Sequence, residues 1–467
     1  MIIVVHNTYC ELDKDSNLIR QFLTVYAKNY YMSTAYNSGK SLCKDCGFKV
    51  KKLVSSCPNC RSKSVILIRN WDGRVSYLIN RRFLTGFLPV VLDHLDDNNI
   101  EYSLIDKRIN SSTVNLVTKL PPFDLLNHQV EGVKQCLYMC RGIIDAATNS
   151  GKTSMIASLI LSIDCNVLIT IHRKVIYNQL VAFLKDCNID VCNDFSKRVT
   201  ICMIKTLFNQ CKKPSVLQSL SNIDMIIVDE CHNAASSTYK VVLSNLNAYY
   251  NFFFSGTPID SDNDCDVMDI IGRSGPVIYK LSNKQMIDLN ISQKPTVHIY
   301  KYCDSDNSRL YKDELANVKF SNSKLDIIKR IIKDQTLIVV NELDHGNWLL
   351  HNLMDYENVE FVNGVDYNEE VLNRFRKGFT KVLISTVILK EGVNINNINT
   401  LIFAFVGKSK KAVKQWIGRL IRHDNIHTSC IIVDFEDVGL RTSKQFISRL
   451  KIYKEEGFDV INKTLTQ

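Results

Sequence analysis

Residues Ala146–Thr153 read Ala-Ala-Thr-Asn-Ser-Gly-Lys-Thr. The apolar run Gly142-Ile143-Ile144 leads into them, and Ser154–Leu161 follows with the apolar spacing of a helix. A strand, a small-residue loop ending in Gly-Lys-Thr and then a helix form the local architecture of a phosphate-binding loop. Backbone N–H groups of the loop and the positive end of the helix suit a polyphosphate, and Lys152 is long enough to reach its outer phosphates. Ala146, Thr148, Asn149, Ser150 and Gly151 then form the cradle, and Thr153 offers its hydroxyl to a magnesium ion. A chance turn carrying one lysine is the competing reading. The rest of the chain decides between them.

From about residue 120 to 290 apolar strand-like runs alternate with helical patterns, which implies an α/β unit with a parallel sheet covered on both faces. Ile223–Val228 is apolar and ends in Asp229-Glu230-Cys231-His232. Charge at the end of a buried strand is costly on structural grounds alone. Beside a phosphate loop it has a use: Asp229 holds magnesium through water, Glu230 orients and deprotonates an attacking water, and His232 transmits the nucleotide state. Strand Asn251–Phe254 ends in Ser255-Gly256-Thr257, a small polar tip suited to sensing that state. Strands Val167–Ile171 and Val199–Ile204 end in His172-Arg173 and Lys205-Thr206, at the sheet end where doubly wound folds bind ligands. Upstream, Gln129 carries an amide able to pair with an adenine edge, although a lone Gln is more often a surface residue.

The first 110 residues differ in character. Cys43-Lys-Asp-Cys46 and Cys57-Pro-Asn-Cys60 are two knuckles that can set four thiolates around one structural zinc ion. A redox pair is the rival for a single Cys-x-x-Cys, and two together favour metal. The remaining twelve of 16 cysteines show no ligand spacing, as in a reducing cytoplasm. Net charge is +10, and residues 39–82 hold eleven Lys or Arg against Asp45 and Asp72 alone. So local an excess beside a metal motif points to nucleic acid, with a solvated face as the plain alternative. Val65–Ile79 reads as a β-hairpin turning at Asp72-Gly73. Arg69, Trp71, Arg74, Arg81 and Arg82 along it would lie on a duplex backbone, or else form a charged edge that prevents aggregation. No run approaches the ~20 apolar residues of a membrane span.

A second alternating unit follows residue 322: strands Thr336–Val340, Val359–Val362, Lys381–Ser385 and Thr400–Phe405, with helices between. Its last helix carries Gln415, Arg419 and Arg422 on one face. Set against a nucleotide on the first unit, Arg422, with Arg419 close behind, would stabilise transition-state charge.

Taken together, Asn127-x-Gln129, Ala146–Thr153, Asp229–His232, Ser255–Thr257, Ser385–Ile395 and Gln415-x-x-Gly418-Arg419-x-x-Arg422 resemble the motifs of superfamily 2 helicases, over about residues 120–440. Trp71-Asp72-Gly73, Arg81-Arg82, Thr85–Leu88 and Ile432–Phe435 resemble the phage UvsW-type branch-migration branch. Asn149 stands where Gly is commoner, and His172-Arg173 where Pro-Thr is. The zinc knuckles look like an addition to the phage pattern. The resemblance implies two tandem RecA-like parallel-sheet lobes hydrolysing ATP in their cleft, after a small α+β domain with a zinc ribbon at about 40–64. Expected bounds are 1–112, 113–290 and 323–467, with 291–322 connecting. Gly392 would contact nucleotide, Gln415 would couple, and Arg173, Thr206 and Thr386 would grip the strand. Expected partners are DNA, branched or duplex, and recombination or replication proteins, in the cytoplasm of a host. An RNA or general repair helicase and a nucleotide-switched binding protein without motor activity are the alternatives.

Overall fold

The short N-terminal strands β1 (Ile2–Val5) and β2 (Tyr9–Leu12) alternate buried and more exposed residues, the pattern of a sheet with one face on a core. Helix α1 (Asn17–Phe22) starts at Ser16, whose Oγ accepts from Ile19 N at 3.3 Å. A helix is expected through Ala27 but ends at Phe22, because Thr24–Tyr26 forms a strand, β3. Four strands follow: β4 (Lys40–Cys43), β5 (Lys49–Val50), β6 (Val65–Ile68) and β7 (Arg74–Ser76). Then come β8 (Arg82–Leu84), helix α2 (Leu88–Asp97) and β9 (Ser103–Asp106). The order β8-β2-β1-β9 makes the sheet on which Val91 and Leu95 of α2 pack.

This structure is a computed structural model. It describes the chain apart from residues 29–39, 44–48, 51–60, 62–64, 69–73, 111, 122, 260–262, 303–309, 334, 357, 364–368, 387–397, 405–406, 408–409, 421–429, 438 and 464–467.

The Asp72-Gly73 turn of the expected hairpin lies outside the described residues, and a pairing of β6 with β7 is not among the described strand pairs. Strand β6 pairs with β4, while β7 pairs antiparallel with β3, Tyr26 opposite Arg74. A two-residue turn is formed at Asn80-Arg81. Both have positive φ (49° and 64°), and Ile79 and Arg82 exchange hydrogen bonds across them. Asn tolerates that conformation, which makes it a good first residue of such a turn. Three-stranded β5-β4-β6 is thereby carried between the two strands of a β3–β7 stem.

The first large sheet has strands β10 (Arg141–Ala146), β11 (Val167–Ile171), β12 (Val191–Cys192), β13 (Val199–Met203), β14 (Met225–Asp229), β15 (Tyr250–Ser255) and β16 (Val277–Leu281). All pairs are parallel, in the order β12-β13-β11-β14-β15-β10-β16. Helices α3 (Asn127–Met139) and α4 (Lys152–Ser162) flank β10, and α5 (Asp264–Ser274) precedes β16. The apolar faces of α3 and α4 share one large core with the sheet, including Ile144, Ile156, Ile169, Ile227 and Phe252, and Ile270 of α5 joins a second core with Ile143, Leu168 and Phe253.

After α6 (Asn283–Asp288) comes the second sheet: β17 (Thr296–Lys301), β18 (Thr336–Val340), β19 (Val359–Val362), β20 (Val382–Thr386), β21 (Thr400–Phe403), β22 (Ile431–Glu436) and β23 (Asp459–Lys463). It too is wholly parallel, in the order β19-β20-β18-β21-β22-β17-β23. Numbered within each lobe, both sheets run 3-4-2-5-6-1-7. The segment 291–322 is therefore not a plain connector. Its strand β17 takes the place in lobe 2 that the phosphate-loop strand β10 takes in lobe 1, and α7 (Tyr311–Lys319) follows it. Two further helices matter below, α8 (Lys410–Leu420) and α9 (Thr442–Glu455). No helix among the described residues is long and apolar enough to cross a membrane.

The N-terminal domain is seated on lobe 1 through α5. Tyr77 Oη donates to Cys265 O at 2.9 Å, and buried Arg141 Nη2 donates to Asn7 O at 2.6 Å. Burial and neighbouring Arg108 pull the Arg141 guanidinium down to about 10. At the centre of the contact a Cβ on Gly86 would stand 2.2 Å from Ile271 O and 2.5 Å from Gly272 O. Both are helix backbone and cannot move aside. Gly86→Val is expected to cost ~1–3 kcal/mol by overpacking, seen as a lower unfolding midpoint and faster proteolytic release of residues 1–112.

Candidate functional site at the cleft between the lobes

Strand β10 delivers the loop 147–151 at its C-terminal end, where the first turn of α4 begins. Two residues take the left-handed conformation, Asn149 (φ 69°) and Gly151 (φ 79°). Asn is among the few side chains that accept it, so its presence in place of glycine has a backbone explanation. It has a second one in its amide: Nδ2 donates to the carbonyl of Gly418 in α8. At Gly151 a Cβ would lie 2.0 Å from Gln129 Nε2.

Gln129 is used differently from expectation. Its Oε1 accepts from Leu126 N at 3.0 Å and its Nε2 donates to Ser150 O at 3.2 Å. The amide caps α3 and ties it to the phosphate loop, and in this conformation it does not present both groups to a base. His128, which the sequence did not single out, holds the same carbonyl, its Nε2 lying 3.0 Å from Ser150 O. Lys152 Nζ donates to Ala146 O (2.9 Å) and Ala147 O (3.0 Å), close to the end of β14.

Asp229 ends β14. Its enclosure by protein, and then the Glu230 charge, push its carboxyl up to about 7, while Lys152 pulls the other way. A cation there removes much of that cost. Glu230 holds φ 53°, a conformation costing such a residue about 1–3 kcal/mol, characteristic of functional sites. The strain turns its carboxylate toward His232, with Oε2 3.3 Å from Nδ1. Asn233 Nδ2 donates to His232 Nε2 at 3.0 Å, which assigns the ring proton to Nδ1. Nδ1 also lies 3.2 Å from Ser255 Oγ, which accepts from Thr257 N at 3.2 Å. A continuous polar path thus runs from Glu230 to the tip of β15.

Helix α8 closes the cleft from the other lobe. A Cβ on Gly418 would stand 2.5 Å from Thr148 Cβ, so lobe 2 backbone rests directly on the loop. Gly418→Ala is expected to hold the lobes apart. Near 1 Å of misplacement costs ~100-fold in rate, so kcat for nucleotide hydrolysis should fall toward that figure with binding to lobe 1 retained. A cavity beside this contact is lined by Asp145, Thr148, Thr257, Lys280, Asn283, Gln415 and others. Buried Ser150 Oγ, Thr257 Oγ1 and Gln415 Oε1 have no hydrogen-bond partner among the described residues. A polyphosphate with its magnesium-bound waters supplies donors and acceptors of the right kind here. The residues fit the group.

Other expected residues stand as follows. Arg419 lies in α8, but its side chain is outside the described residues, as are Gly392 and Arg422. Cys46, Cys57, Cys60, Arg69 and Trp71 are outside them too, with the side chain of Cys43. Arg173 opens the helix after β11, and Thr206 is exposed just after β13. Thr386 ends β20 but is only 6% exposed, so in this conformation it does not face a strand in solution. Arg74, Arg81 and Arg82 remain exposed yet are engaged within their own domain: with Tyr26 Oη (3.0 Å), with Asp13 O (2.9 Å), and with Glu11 (3.0 Å) and the Tyr9 ring. Such surface pairs are worth ~0–1 kcal/mol, and a phosphate can displace them.

Residues 123–260 match the family described as "Type III restriction enzyme, res subunit", and residues 323–424 match "Helicase conserved C-terminal domain". The chain belongs to the superfamily 2 helicases, a class that works by hydrolysing ATP. Within that class it is similar to the ATP-dependent DNA helicase UvsW of Enterobacteria phage T4, 23% identical, covering 85% of this chain and 91% of that one. It is also similar to the DNA 3'-5' translocase XPB2 of Sulfurisphaera tokodaii, 20% identical over 66% of this chain and 82% of the relative. Among solved structures, the Type ISP restriction-modification enzyme LlaBIII shares the fold, with TM-score 0.55 and 12% identity over 74% of this chain and 32% of that one.

Proposed function

We propose that the chain is an ATP-driven DNA translocase that remodels branched DNA, regressing forks and migrating junctions. The observation that carries this reading is the contact of Gly418 in lobe 2 with Thr148 of the phosphate loop in lobe 1. It sets the approach of α8 as the step in which hydrolysis is felt by both lobes. In the reaction Lys152 and the loop would hold the phosphates, and Thr153 and Asp229 would hold magnesium, which would supply charge neutralisation. Glu230 takes the proton of the attacking water, and Arg419 in α8 and Arg422, two residues after its end in the sequence, are assigned to the transition-state charge. The path through His232, Ser255 and Thr257 reports the state of the site to the sheet tips, where Arg173 and Thr206 meet the backbone. Binding through phosphates is independent of sequence and weakens with salt.

DNA is favoured over RNA by similarity to a DNA helicase over 85% of the chain. A rigidly seated domain ahead of a moving motor suits splitting or pairing of strands. ATPase rates with fork DNA, linear duplex, single strand and RNA test it. Highest stimulation by fork DNA is expected; highest stimulation by RNA sinks it.

The four cysteines are proposed to hold structural zinc. In the register of β4 and β6, Cys43 faces Val65, so the chain leaves β4 and enters β6 at one end of that sheet. Cys43→Ser should lose the bound equivalent of zinc in elemental analysis, and a full equivalent in that variant discredits the site.

A further inference from the structure

We propose that Glu456 is a positioning residue that latches α8 across the cleft. This rests on the reading that α8 completes the nucleotide site of lobe 1. Glu456 follows α9 directly, is 4% exposed, and divides its two oxygens between the lobes. Oε1 accepts from Lys414 Nζ of α8 at 2.6 Å, and Oε2 accepts from Asn283 Nδ2 of lobe 1 at 3.0 Å. Asn283 opens α6 two residues after Leu281, whose carbonyl accepts from Ala147 N, the first loop residue, at 2.8 Å. One bonded route therefore joins the phosphate loop, the end of β16, Glu456 and Lys414.

The second crossing is the Asn149 amide on the Gly418 carbonyl. Lys414 and Gly418 are one helical turn apart on the same face. Helix α8 is thus tied to lobe 1 at two points a turn apart, directly at Gly418 and by way of Glu456 at Lys414, which fixes its rotation as well as its distance. A single contact leaves the helix free to pivot. Gln415 and Arg419 belong to a helix whose angle is set by this pair. Glu456 does not touch the reacting atoms; it acts through α8.

Asn283 and Lys414 both bind Glu456, and their bonds to it are the route under test. Full-length protein carrying Asn283→Ala, Lys414→Met, both, or Glu456→Gln is assayed for DNA-stimulated ATP hydrolysis, with kcat and KM separated. Each single change is expected to lower kcat about tenfold with KM within about twofold, since lobe 1 still binds nucleotide. The double variant should fall about tenfold, not about a hundredfold, because either change breaks the same latch. Multiplying effects, or an unchanged kcat in Asn283→Ala and Glu456→Gln, overturn the proposal. If Glu456→Gln fails to fold, the other pair still decides, since it leaves Glu456 in place. Lys152→Ala separates the two levels: if it retains hydrolysis, the nucleotide-site reading itself fails, whatever Glu456 does.

Discussion

Glu230→Gln is expected to lower kcat for ATP hydrolysis by ~100- to 10,000-fold while leaving nucleotide bound, the range for loss of a general base. The substitution keeps the length and the polar contact with His232, so the left-handed turn at 230 and the route to Ser255 persist. What disappears is the carboxylate able to accept a proton. Lys152→Ala should behave differently, because it removes a direct phosphate partner and weakens binding as well. Equilibrium binding of a fluorescent ATP analogue alongside steady-state turnover distinguishes the two. Turnover of Glu230→Gln within about twofold of the parent removes Glu230 from the role of base and leaves Asp229, with its carboxyl pushed up to about 7, as the group to examine.

The largest effect on stability is expected at Arg449, in the interior of lobe 2. Its Nε and Nη2 donate to Asp434 (2.8 and 2.9 Å), and Nη2 also donates to Asp437 at 2.9 Å. Lys324 Nζ reaches Asp437 at 3.0 Å, and Tyr453 Oη donates to Asp434 at 2.7 Å. Burial opposes charge throughout this cluster, yet Lys324 and Arg449 hold the Asp437 carboxyl below the ordinary range. Arg449→Leu leaves carboxylates in the interior with too few positive partners, which costs ~3–5 kcal/mol. Denaturant unfolding followed by the fluorescence of Trp348 and Trp416, both in lobe 2, reads it. Asp437 is depressed in the folded chain, so its stabilisation is complete at neutral pH and lost as acid protonates it. The deficit of the variant should therefore shrink at low pH. A loss under about 1 kcal/mol at neutral pH contradicts the reading. Arg449 Nη1 also donates to Gly407 O at 3.1 Å, just ahead of α8, so the variant should lose ATPase activity too.

Much of this was legible in the chain. The unbroken apolar runs at 167–171 and 336–340 and the Gly-Lys-Thr loop gave the parallel sheets and their working ends, because buried parallel strands and phosphate loops have local signatures. Asp229 and Glu230 were readable for the same reason: charge at the end of a buried strand has few structural excuses. What was not legible depends on partners distant in sequence. The strand at 74–76 found Thr24–Tyr26 instead of its neighbour, and 296–301 joined the second sheet although its surroundings look irregular. Asn283 and Glu456 meet over 173 positions, and neither sits in a recognisable pattern. Gln129 kept its place beside the loop but spent its amide on Leu126 and Ser150.

The β3–β7 stem has a practical meaning. Tyr26 and Arg74 are directly opposed, so the chain departs and returns at two backbone positions ~5 Å apart, the spacing of an antiparallel pair. Whatever lies between them closes on ends already joined, and loop length costs little under that condition. The stem is thus a graft point. Replacing residues 27–73 by a two-residue turn should leave both parallel-sheet lobes able to fold, and other small inserts could be exchanged there to compare their effects on substrate choice.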